Sequence, residues 1–190
     1  MCAGLVEAPR LRSPHAPGYR SCGAIDFGAA ASKCNITCNG NEACDAVTCD
    51  RPDCQIACTQ FRSCAGPVLC TGDTCAIQCT GPEACLAVTC ATPGALGPCR
   101  VDCAAFRACE DVTCTASACT VTCNGNEACG GAVVANAKTT NVACTAFRSC
   151  KSAACPTGDT CALSCTGTQS CLGGICCKAG VCLGSPNTCP

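Results

Sequence analysis

The chain is predicted to be all-β: a single disulfide-braced β-solenoid, or β-helix, of about seven to eight short coils. Three observations predict it. A unit opening on Cys-x-aliphatic-x-Cys returns at about 20 to 24 residues, a period that marks coils each covering the hydrophobic face of the next. Thirty-one of the 190 residues are Cys, against no Trp, one Tyr and four Phe. An interior of Cys, Ala, Val and Ile fills only a thin cross-section, so cystine must supply what burial does not. Helix signals are weak, because Gly, Pro and Thr recur throughout and no apolar stripe has a 3.6-residue period.

Residues 1–16 are rich in Pro, Arg and Ala and are expected to form a flexible leader. The only His, His15, falls there and is read as solvated. The solenoid is expected over residues 17–176, with a degenerate coil near Gly18 and fuller coils from Cys34, Cys54, Cys75, Cys99, Cys119, Thr140 and Cys161. Each opens on a short strand whose middle residue is Ile36, Ile56, Ile77, Val101, Val121, Val142 or Leu163. Alternation places that residue and both flanking Cys on one face. A corner follows, often with Asn39-Gly40, Thr80-Gly81, Asn124-Gly125 or Thr166-Gly167, residues suited to positive φ in a tight turn. A second short strand closes the coil, as in Ala46-Val47-Thr48-Cys49 and Asp111-Val112-Thr113-Cys114. Residues 177–190 are expected to break the period as a Cys-rich cap or linker. A larger period lies above the small one, since Cys38-Asn-Gly-Asn-Glu-Ala-Cys44 returns unchanged at Cys123–Cys129.

One irregularity predicts the disulfide pairing. The coil from Cys119 lacks its fourth Cys, with Val134 read at that place, and the next coil has Thr140 in place of its first. Paired losses at the two ends of one loop imply that the fourth Cys of a coil joins the first of the next. This gives Cys49–Cys54, Cys70–Cys75, Cys90–Cys99, Cys114–Cys119 and Cys155–Cys161. Five residues always separate the second and third Cys, giving Cys38–Cys44, Cys58–Cys64, Cys79–Cys85, Cys103–Cys109, Cys123–Cys129, Cys144–Cys150 and Cys165–Cys171. Cys22–Cys34, Cys176–Cys182 and Cys177–Cys189 complete the expected set and leave Cys2 free. Loops this short contribute about 2 kcal/mol each by chain entropy, so cystine is expected to hold the fold.

Two residues before the third Cys of successive coils stand Arg20, Glu42, Arg62, Glu83, Arg107, Glu127, Arg148 and Gln169. The sign alternates until the last, neutral step. Equivalent residues of stacked coils lie about 4.8 Å apart, where like charges repel and opposite charges pair. The ladder is read as a device that sets which coil sits on which, in preference to a ligand stripe. Tyr19, Phe61, Phe106 and Phe147 precede its Arg residues, so contact between guanidinium and ring is expected.

The architecture resembles small disulfide-braced β-solenoids, including the β-helical insect antifreeze proteins. Over residues 18–182 the spacing of Cys34-Asn-Ile-Thr-Cys38-Asn-Gly-Asn-Glu-Ala-Cys44 is similar to that of uncharacterised Cys-rich repeat proteins of bacterial and protist surfaces. That resemblance implies a fold and an extracellular setting, and no activity.

Composition narrows function further. A formal charge of −1 from 12 basic and 13 acidic residues gives no field for nucleic acid. No stretch approaches the roughly 20 apolar residues of a membrane span. So much cystine persists only in an oxidising compartment, and a secreted or cell-surface location is expected. The first ten residues hold no apolar run of leader length, so the chain is expected to lack its leader or to be a fragment of a longer exported protein.

An enzyme needs convergent acid, base or nucleophile. Here Asp50, Asp53, Asp73 and Asp159 are dispersed, and no enzyme activity, catalytic residue, cofactor or metal site is expected. The expectation is an extracellular structural or adhesive module. Its partners would be other surface proteins or polysaccharide, with end-to-end self-association through open strand edges. Ice binding is the first alternative, but outward pairs such as Asn35/Thr37, Arg100/Asp102 and Thr120/Thr122 form an irregular array. Thiol-rich metal binding is the second, with Cys-x3-Cys pairs as ligands. Asn35-Ile-Thr37 also fits a glycosylation acceptor.

Overall fold

A computed structural model describes residues 2–5 and 32–184 of the chain. Its strands in chain order are β1 (Cys2–Leu5), β2 (Lys33–Cys38), β3 (Val47–Cys49), β4 (Asp53–Cys58), β5 (Val68–Cys70), β6 (Thr74–Cys79), β7 (Cys85–Ala91), β8 (Pro98–Cys103), β9 (Cys109–Cys123), β10 (Ala132–Cys144), β11 (Ser152–Cys155), β12 (Thr160–Cys165), β13 (Ile175–Cys177) and β14 (Val181–Gly184). A single 3₁₀ turn, Pro93–Ala95, is the only helical element among the described residues. The strands wind into a β-solenoid of about seven turns.

Each turn contributes to two parallel ladders. One runs β2, β4, β6, β8, the second half of β9, the second half of β10, β12 and β14. The other runs β3, β5, β7, the first half of β9 and the first half of β10, then β11 and β13. β9 and β10 pass through both ladders without a break.

Burial follows the alternation. Ile36, Ile56, Ile77, Val101, Val121, Val142 and Leu163 stack as one buried column. Val47, Val68, Val88, Val112, Val133, Ala153 and Ile175 stack as a second, from the opposite ladder. Cys columns flank both, so the interior is two aliphatic rows between walls of sulfur. β-branched residues suit this place, because their stiff side chains pack on a pleated surface.

Several expectations are corrected here. Cys2–Leu5, assigned to the flexible leader, forms a strand antiparallel to β2, with Cys2 opposite Cys38. β2 is the first strand of its parallel ladder among the described residues, and β1 pairs with its outer edge. The period does not stop at residue 176. Cys177 stacks on Cys155, and Val181–Gly184 stacks on β12, so another coil begins. The fourth-column place of the coil from Cys119 belongs to Ala135, which stacks on Cys114, while Val134 stacks on Thr113. Five residues lie between Cys129 and Ala135, where only four lie between Cys109 and Cys114. One residue of slip reverses inward and outward.

The corner glycines serve a different purpose from the one expected. Gly81 and Gly125 are not among the residues with positive φ. A Cβ on Gly81 would collide with the Gln60 carbonyl, and one on Gly125 with the Ala105 carbonyl. They are glycine because the coil below passes too close for a side chain. The degenerate coil near Gly18, with Tyr19, Arg20 and Cys22, and the chain end with Cys189 lie outside the described residues, as does His15.

Candidate functional site

Sulfur dominates the chemistry. Second and third Cys are joined in every described coil: Cys38–Cys44, Cys58–Cys64, Cys79–Cys85, Cys103–Cys109, Cys123–Cys129, Cys144–Cys150 and Cys165–Cys171. Fourth and first Cys are joined across the next corner: Cys49–Cys54, Cys70–Cys75, Cys90–Cys99, Cys114–Cys119, Cys155–Cys161 and Cys177–Cys182. Their Cα–Cα separations of 5.9–6.3 Å lie within the range a disulfide spans.

The last of these corrects two expected pairs. Cys182 bonds Cys177 in place of Cys176, which excludes Cys177–Cys189 as well. In β13 Cys177 faces inward and Cys176 does not, so only Cys177 occupies the fourth column. Cys176 is disulfide-bonded elsewhere. Cys34 is not joined to Cys22 and keeps a free, buried thiol. By sequence Cys22 matches the third-column Cys64 and Cys150, whereas first-column Cys take their partners from the fourth column. Burial pushes the Cys34 thiol up to about 12, with Arg51 opposing and Asp50 adding to the shift. Sulfur atoms of Cys34, Cys49 and Cys54 lie within 4.8 Å of one another, as do those of Cys38, Cys58 and Cys64. These groups arise from stacking, and their bonded members offer no thiolate to a metal.

The second feature is the ladder. Glu42, Arg62, Glu83, Arg107, Glu127, Arg148 and Gln169 all have positive φ, from 48° to 59°. Non-glycine residues rarely adopt that conformation, and the left-handed region costs about 1 kcal/mol or more per residue. Stacking compensates. The Glu42 N–H donates to the Phe61 carbonyl at 3.1 Å, that of Glu83 to Phe106 at 3.0 Å, and that of Glu127 to Phe147 at 2.8 Å. The Arg N–H groups do the same to Pro82, Asn126 and Thr168. Just after each ladder residue the chain packs on a small buried residue, as at Ala43, Ser63, Ala84, Ala108, Ala128 and Ser149.

The side chains pair in one direction. Nε of Arg62 donates to the Glu83 carboxylate at 2.8 Å, that of Arg107 to Glu127 at 2.6 Å, and that of Arg148 to the Gln169 carbonyl oxygen at 2.7 Å. Each Arg therefore reaches the coil that follows it. Each guanidinium also lies 5.0 Å from the ring centroid of its own Phe61, Phe106 or Phe147. All three rings are exposed.

Beside the ladder runs an open groove of about 1070 Å³. Asp45 and Glu110 line it together with the ladder residues from Glu42 to Glu127, and Leu86 is its exposed apolar contact. Sequence reasoning missed Asp45, Glu110 and Leu86, because only stacking shows that they share a wall. No helix among the described residues is long and apolar enough to cross a membrane. No protein-family model matches the chain, and no curated protein or solved structure matches it significantly.

Proposed function

We propose that this chain is a non-enzymatic extracellular repeat module, a stiff rod that acts as a structural or binding element of a surface or matrix. The two columns of disulfides carry this reading. Bonds at successive corners of every described turn but one would be lost in a reducing compartment, and the thin core of Val, Ile and Ala has little else to replace them.

The polar residues support the non-enzymatic part. Ladder carboxylates Glu83 and Glu127 are held by guanidinia, which suits a structural pairing better than proton transfer. The outward columns support a module over an ice binder. Asn35, Gln55, Ala76, Arg100, Thr120, Asn141 and Ala162 stack in one row, and Thr37, Ala57, Gln78, Asp102, Thr122, Ala143 and Ser164 in the next. Only the coil with Thr120 and Thr122 offers a Thr pair.

The test is to fractionate producing cells and modify the protein with a bulky maleimide before and after reduction. The expected result is protein outside the cytosol whose large gel shift appears only after reduction. Protein in the cytosol with its thiols already reactive would sink the reading.

A further inference from the structure

We infer that the exposed Phe stripe is a binding strip for an uncharged, extended 1,4-linked polysaccharide. The inference rests on the extracellular module reading and names its ligand class.

Phe61, Phe106 and Phe147 are 40%, 46% and 40% exposed, although each is large and apolar. They hold the same place on every second coil, and the backbone bonds from Glu42, Glu83 and Glu127 keep them in one row. Two coil steps of about 4.8 Å set the rings roughly 10 Å apart. Each ring is fixed by its Arg, and each Arg by the next coil. The strip is thus pre-ordered, and binding loses little side-chain entropy.

The spacing selects the ligand. In an extended 1,4-linked glycan successive sugar rings are turned over, and the same C–H face returns once per disaccharide, close to the separation of the Phe rings. An extended peptide returns the same face every two residues, about 6.8 Å, and falls out of step. A polyproline helix repeats at roughly 9.3 Å and would keep step, but it presents carbonyl acceptors. The flank of this strip also presents acceptors, the carboxylates of Glu83, Glu127, Asp45 and Glu110 along the groove. Acceptors call for donors, and sugar hydroxyls supply them. Exposed Pro82 and Asn126 stand between the rings and exposed Thr168 follows the last. The side chains of Asn126 and Thr168 both donate and accept, so each can hydrogen-bond a sugar hydroxyl. The Arg62–Glu83 and Arg107–Glu127 pairs balance their own charge, and Asp45 and Glu110 leave the flank acidic, which disfavours an anionic polymer.

The experiment uses the whole oxidised chain, with microcrystalline cellulose and chitin as probes for retention. Calorimetry follows with soluble oligomers of each and with a Pro-rich peptide. Retention on at least one polysaccharide is expected. Affinity should rise with oligomer length up to about five sugar units, which reach all three rings, and then level off. Each single Phe→Ala change should weaken binding about two- to tenfold, and the triple variant should not be retained. Leu96→Ala, at an exposed apolar residue outside this row, should bind as the parent does. Circular dichroism and thiol titration establish that each variant is folded and oxidised. Retention of neither polysaccharide, equal retention of the triple variant, or binding of the peptide alone would overturn the inference. If the protein were still extracellular and oxidised, the module reading would stand without it.

Discussion

Ala135 and Thr140 sit where the corner column of disulfides is interrupted. They stack on Cys114 and Cys119 from the coil before, and Thr140 stacks on Cys161 from the coil after. The neighbouring bonds span Cα–Cα distances of 6.1 Å at Cys114–Cys119 and 6.3 Å at Cys155–Cys161. The intervening loop has the same sequence separation, 5, as Cys49–Cys54. Ala135→Cys with Thr140→Cys should therefore form a bond without moving the backbone.

Closing so short a loop removes about 2 kcal/mol of chain entropy from the unfolded state. The Thr140 hydroxyl is buried with no hydrogen-bond partner, so its removal should add about 1 kcal/mol or more. The double variant should gain about 3 kcal/mol in guanidinium denaturation under non-reducing conditions. Thr140→Val, which replaces the hydroxyl with a methyl group of similar size, should gain about 1 kcal/mol. Thiol titration reports whether the bond has formed. Two additional free thiols would mean that the columns do not run through this corner. A formed bond with no gain beyond Thr140→Val would refute the assignment of stability to corner cystine.

Four further outcomes are expected. Cys34 should resist alkylation at pH 8 in the folded protein and react on unfolding, as mass spectrometry would show, because its folded thiol is pushed up to about 12. The same shift means that the unfolded chain loses this proton first as pH rises. The contribution of Cys34 to stability should be complete below the ordinary thiol value, 9.0, and fall away as pH climbs toward about 12. A pH series against Cys34→Ala isolates it. Gly125→Ala should destabilise by about 1–3 kcal/mol, since its Cβ meets backbone that cannot move aside, and a chemical melt unchanged from the parent would count against the close stacking. Arg107→Glu should place three carboxylates in a row and cost about 1 kcal/mol, with the loss shrinking in high salt; a loss indifferent to salt would argue against a charge ladder.

Much of this architecture is written in local spacing. Cys-x-Ile-x-Cys places three side chains on one face because a strand has period two, and that identifies the walls and one aliphatic column before any coordinates. Five residues between second and third Cys bring the pair around a corner, so the bridges inside each coil were legible too. The substitutions at the corner before Thr140 exposed the rule for bridges between coils. A ladder of alternating sign was visible in the same way.

Other features depend on which coil lies against which. Corner length varies by one residue from coil to coil, and only pairing with the neighbour shows that Ala135, and not Val134, faces inward. The same slip sends Cys177, and not Cys176, to Cys182. Alternation in charge says that Arg62 has acidic neighbours on both sides, while stacking selects Glu83. The demand for glycine at Gly125 comes from the Ala105 carbonyl a full coil away. Composition and period determine that this chain forms a cystine-braced β-solenoid. Its register, and with it the strip of Phe and Arg on its surface, was decided by contacts about one coil apart in sequence and adjacent in space.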